Sequence, residues 1–153
     1  MNAAKSLQNM QKFDFCEKLE HIVQQDSRFD REAYHFLRDA LDFTIKARKK
    51  ARETDPHVTG QQLLEGVRQY ALRQYGPMAP TVFHYWGVRR CEDFGDMVFN
   101  FISAGVFGKS ETDSVDDFKG GYTFHEAFIA PFLPEEPAVH RRVVSDYPAE
   151  ELR

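Results

Sequence analysis

The sequence predicts a mainly α-helical single domain, a bundle of about five helices followed by a small C-terminal β-ribbon. Three observations carry this. Apolar residues recur at a 3.6-residue period in four segments, and that period is lost after Gly105. The chain has 153 residues, the length of one domain. Apolar residues make up 42% and aromatics 14%, with 14 Phe, which is enough bulky side chain for one core. The domain is expected over residues 11–133, between a flexible N-terminus (1–10) and a flexible tail (134–153) whose prolines and charges lack any period.

The first helix is read from Phe13 to Gln25, with Phe15, Leu19, Ile22 and Val23 on one side. Asp30 is placed to cap the longest helix, whose stripe is Ala33, Leu37, Ala40, Leu41 and Thr44, widened by Phe36, Phe43 and Ala47. Pro56 marks a linker. Thr59 and Gln62 suit a capping box, and Leu63, Leu64, Val67, Tyr70, Ala71 and Gln74 follow on one face. Gly76 is expected in the left-handed position that ends this helix. A short helix runs from about Pro77 to Trp86. The next, from Cys91, shows Phe94, Met97, Val98, Phe101 and Ile102, spaced 0, 3, 4, 7 and 8. Residues 106–109 and 122–124 then read as two strands, joined by a loop in which Ser110 or Ser114 caps a turn. Helix, helix, helix, strand, loop, strand from Thr59 to Phe124 is compatible with a winged-helix layout whose wing is 106–124.

Four stretches together carry a resemblance: SRFDREAYHFLRDALDFT, TGQQLLEGVRQYALRQYGPMAPTVFHYWGV, EDFGDMVFNFISAGVFGKSETDSVDDF and GYTFHEAF. The chain resembles an uncharacterised family of small bacterial proteins, a domain of unknown function, over all but its two ends. The resemblance implies no activity, substrate or cofactor. Cys91 stands where that pattern has Thr or Ser before Glu-Asp-Phe, which implies a weaker cap there.

Acidic residues number 24 and basic ones 20, a net charge of −4, which argues against a generic nucleic-acid coat. Cys16 and Cys91 form no CxxC pair, so no cysteine zinc site is expected. Neither a secretory signal nor a membrane-length apolar run is visible, so a cytoplasmic protein with two reduced thiols is expected. Glu17 with His21, and His35 with Asp39, are spaced to offer two metal ligands each. The simpler reading is that all four are solvated surface residues, and no metal or cofactor is expected. No GxSxG elbow or Gly-rich phosphate loop appears, so the residues do not point to catalysis.

Three surfaces remain. Lys46, Arg48, Lys49, Lys50 and Arg52 form a basic run at a helix C-terminus, suited to its dipole and to a weak RNA or phosphate contact. Tyr85 and Trp86 are a candidate aromatic anchor. Glu92, Asp93, Asp96, Glu111, Asp113, Asp116 and Asp117 form an expected acidic surface, seven acids against the single Lys109 between Glu92 and Asp117. A helix so charged would be repelled from duplex phosphates, so sequence-specific DNA binding is not expected. The expectation is a non-catalytic interaction module or subunit of a larger assembly, with a partner bearing a basic patch. The alternatives are a winged-helix nucleic-acid-associated regulator and a small metal-dependent enzyme.

Overall fold

The structure, a computed structural model, describes residues 12–55, 57–108 and 114–135. The expectations for residues 1–10, Pro56, Lys109, Glu111, Asp113 and the tail beyond 135 lie outside these. The described residues form five α-helices: α1 (Lys12–Gln25), α2 (Arg31–Lys50), α3 (Gly60–Tyr75), α4 (Ala79–Trp86) and α5 (Cys91–Ser103). Short 3₁₀ turns at Gly76–Met78, Val115–Phe118 and Ala130–Phe132, and a π-helical turn at His125–Ile129, complete them. No described helix is long and apolar enough to cross a membrane.

The helix starts follow from their side chains. Asp30 Oδ1 accepts the Glu32 amide (2.9 Å), and Thr59 and Gln62 close a reciprocal capping box. Cys91 is not the cap of α5: Asp93 Oδ2 accepts the Arg89 and Arg90 amides (2.8 and 3.3 Å) in its place. Gly76 does end α3 with a positive φ of 51°, but ψ of −130° puts it outside the left-handed helical region.

The main packing unit is α2 against α3. They touch at Gly66, where a methyl group would overlap Thr44 Oγ1 and come within 3.0 Å of Thr44 Cβ. The stripe Ala33, Leu37, Ala40, Leu41 and Thr44 is buried as expected, but Ala47 and Gln74 lie at the surface, past the ends of the core. Phe36 sits at the centre of the aromatic core, with Tyr70, Phe83, Trp86 and Phe94 rings at 5.5, 5.4, 5.6 and 6.4 Å. Such edge and tilted pairs add about 0.5–1.5 kcal/mol each beyond area burial. α5 buries Phe94, Met97, Val98 and Phe101 completely, as its spacing predicts.

The expected β-ribbon is not formed: no described residue of 106–124 is in a strand. The reason lies in where the amides go. Val106 and Phe107 both donate to Phe101 O (2.8 and 3.4 Å), closing the end of α5, so they are spent before any ladder could use them. Ser114 and Asp117 close a capping box that winds Val115–Phe118 into a 3₁₀ turn. Phe118 then packs against Gly95, where a Cβ would lie 2.9 Å from Phe118 Cβ and Cγ. Tyr122 donates its hydroxyl to Leu64 O (2.7 Å) on α3 rather than pairing along a strand. Thr123 and Glu126 hold each other's amides (3.1 and 3.4 Å), and Ala127 and Phe128 return to the core. The wing of a winged-helix layout is therefore replaced, among the described residues, by a strap wrapped over α3 and α5.

Candidate functional site

The two candidate metal pairs stay apart. Glu17 and His21 are exposed on α1, where His21 Nε2 lies 3.3 Å from Gln25 Nε2. His35 meets the Phe15 ring in a T-shaped pair, centroids 5.3 Å apart, and the Arg38 guanidinium sits 4.3 Å over the Phe15 ring. Asp39 is at the surface, its carboxyl raised by desolvation against the pull of Arg38 and His35. Among the described residues no group of three or more His, Cys, Asp or Glu is gathered to hold a metal ion. Burial pushes the Cys91 thiol up to about 12, and its S–H donates to Tyr122 O (3.2 Å), so this sulfur is a packing group. Cys16 is exposed.

Four of the seven expected acidic residues have partners within the chain, although Asp116 stays exposed. Asp93 is only 8% exposed and faces the backbone amides it caps, so it does not belong to an outward face. Its position three residues into α5 carried that signal, because an N3 carboxylate turns back to the amides before the helix. Asp96 pairs with Arg28 (3.2 Å), Asp116 with Lys119 (2.8 Å), and Asp117 accepts the Ser114 amide (2.9 Å). Glu111 and Asp113 lie outside the described residues. Glu92 is half-buried at the start of α5, with no hydrogen bond or ion pair among the described residues.

The basic run divides similarly. Lys46 pairs with Asp42 (2.8 Å) one turn back. Arg48 is drawn inward, bonding Glu53 (2.6 Å) and Asp55 O (3.1 Å). Lys49, Lys50 and Arg52 remain exposed at the end of α2.

The aromatic pair splits. Trp86 is 9% exposed and packs on Phe36, Tyr75 and Phe83. Tyr85 is 83% exposed, the largest apolar ring left in water among the described residues. The chain matches no protein-family model, no curated protein and no solved structure.

Two surface features escaped the sequence reading. Met78, 57% exposed, lies seven residues before Tyr85, so the two share the outer face of α4. The 3₁₀ turn that holds Met78 packs against the turn His125–Ile129, whose continuation exposes Ile129, Phe132 and Leu133. A signal was present: Met78 and Tyr85 fall opposite the buried Ala79, Phe83 and Trp86 of a helix with almost no charged residue. The second is a polar lattice around Arg28. Its guanidinium bonds both oxygens of Asp26 (2.9 and 2.8 Å) and Asp96. Asn100 donates to Asp26 and to the buried Tyr34 hydroxyl, both at 3.0 Å. Arg28 and Asn100 hold the Asp26 carboxyl well below the usual range, while desolvation raises Tyr34 to about 12. This lattice ties the α1–α2 turn to α5, and residues 66 and 74 positions apart in sequence could not have announced it.

Proposed function

We propose that this protein is a non-catalytic interaction module that docks a partner protein on the outer face of α4. Tyr85 at 83% exposure carries the reading. A large ring left mostly in water gains free energy when a partner covers it, and Tyr is among the residues enriched in interface hot spots. The exposed Met78 beside it supplies an adaptable apolar contact. Ile129, Phe132 and Leu133 are further exposed apolar side chains on and after the His125–Ile129 turn, which packs against α4 and against the turn that holds Met78.

The acidic surface supports this role less well, since its Asp96, Asp116 and Asp117 are engaged within the fold. Comparative capture tests the proposal. Extract from cells that carry the gene is passed over the native chain and over a Met78→Lys, Tyr85→Ala variant. A partner retained by the native chain and lost by the variant is the expected result. Identical retention by both places the interface elsewhere.

A further inference from the structure

We propose that the seam beside α4 is a peptide cleft, and that its ligand is an acidic protein segment carrying an aromatic or aliphatic anchor. This rests on the reading of α4 as an interface and adds the chemistry of the partner.

Two concavities, of about 580 and 340 Å³, share Arg28, Phe29 and Gly87 and so form one trough between the α1–α2 turn and the α4–α5 turn. Its floor is backbone fixed on backbone. The Asp30 amide donates to Trp86 O (3.0 Å), and Gly87, at φ +82°, lies so close to Arg28 O that no side chain fits between them. A trough with such a floor is preformed, which spares a ligand the cost of ordering it.

The two ends differ in chemistry. One end is lined by Tyr85, Trp86 and the half-buried Val23. The other presents Arg89 and Arg90 beside Arg28. Arg28 is held by Asp26 and Asp96, and Arg31 by Glu20, so these guanidiniums are locked in place but largely neutralised. Arg89 has no ion pair among the described residues, and Arg90 reaches Asp93 only at 3.7 Å with 71% of its side chain exposed. The lining carboxylates, Asp30 and Asp93, already accept backbone amides. Arg89, without an ion pair, and Arg90, loosely paired and largely exposed, therefore line the trough at one end, and an exposed ring lines the other.

That pattern suits a peptide with carboxylates a few residues from an apolar anchor. Arginine forks bind carboxylates bidentately, and Tyr with Arg is the composition of binding hot spots. One unpaired and one loosely paired cation are too few for a nucleic-acid backbone, whose binding needs several phosphates neutralised at once.

The test uses fluorescence anisotropy on the full chain. The probe is a fluorescein-labelled peptide of repeated Glu-Glu-Phe, and the control is repeated Lys-Lys-Phe. The Glu-Glu-Phe probe is expected to bind and to weaken as salt rises. Arg89→Ala with Arg90→Ala should weaken it about tenfold, the equivalent of one charge-assisted hydrogen bond. Tyr85→Ala should weaken it several-fold, and Lys49→Ala with Lys50→Ala should leave it unchanged. Absence of binding, or indifference to the arginine pair, overturns the acidic partner. If Lys-Lys-Phe binds instead and depends on Tyr85, the α4 interface stands and the acidic chemistry falls. If the arginine pair matters and Tyr85 does not, the anchor falls and the proposal with it.

Discussion

Gly66→Ala places a methyl group at the point where α2 and α3 come closest. In an isolated helix this change is favourable by about 1 kcal/mol, since Ala is the better helix former. Here the new Cβ would overlap Thr44 Oγ1 and lie 3.0 and 3.3 Å from Thr44 Cβ and Cγ2. Thr44 is 5% exposed and its hydroxyl already donates to Ala40 O (2.7 Å), so it cannot swing aside without leaving a buried polar group unpaired. Losing that bond costs about 1–3 kcal/mol, and overpacking the crossing adds roughly 1–3 kcal/mol. Against a gain of about 1 kcal/mol, the net loss is about 1–5 kcal/mol. Urea denaturation of Gly66→Ala, Thr44→Ala and the double variant reads this directly. In the Thr44→Ala background the same change should cost at least about 1 kcal/mol less, because only the 3.0 Å Cβ contact remains. Stabilisation of the native chain by the full helix-propensity gain would refute the crossing geometry.

Leu37→Ala, Phe94→Ala and Phe101→Ala each remove a side chain with 0% exposure and should cost about 2–5 kcal/mol in denaturant melts; a variant that melts like the parent would show its residue facing water. The lowered carboxyl of Asp26 stabilises the fold fully above its unfolded value of 3.8, and that contribution is lost as pH falls through the folded value. Asp26→Asn should therefore lower the melting temperature near neutrality, and the gap to the parent should narrow below about pH 4, where only the parent loses this contribution. Thiol titration with a disulfide reagent should show Cys16 reacting quickly in the native protein and Cys91 only after unfolding, since Cys91 is buried with its thiol raised to about 12. Two fast thiols would mean that the strap carrying Tyr122 does not stay closed over Cys91.

The helices were legible because each buries one clean face, as the spacing of Phe94, Met97, Val98 and Phe101 shows. Their starts were legible for the same local reason at Asp30 and Thr59. The strap was not, because its conformation depends on distant partners. Val106 and Phe107 look like a strand until their amides are claimed by Phe101 O, and Tyr122 looks extended until its hydroxyl finds Leu64 O. The partners of the acidic residues were hidden for a related reason. Sequence shows carboxylates but not the Arg28 that reaches Asp96 from 68 positions away, nor the amides that Asp93 turns inward to accept. Tyr85 and Trp86 are adjacent in sequence; the helical spacing of Ala79, Phe83 and Trp86 marks the tryptophan as core, and the packing of α4 leaves the tyrosine at the surface.

The most direct measurement is site-specific photo-crosslinking in cells that carry the gene. A photoreactive phenylalanine analogue replaces Tyr85 in one version of the chain and Glu17, on the exposed side of α1, in another. An interaction surface on α4 predicts a discrete protein adduct from position 85, diminished by the further change Met78→Lys, and no such adduct from position 17. An adduct from position 17 with none from position 85 would contradict the account.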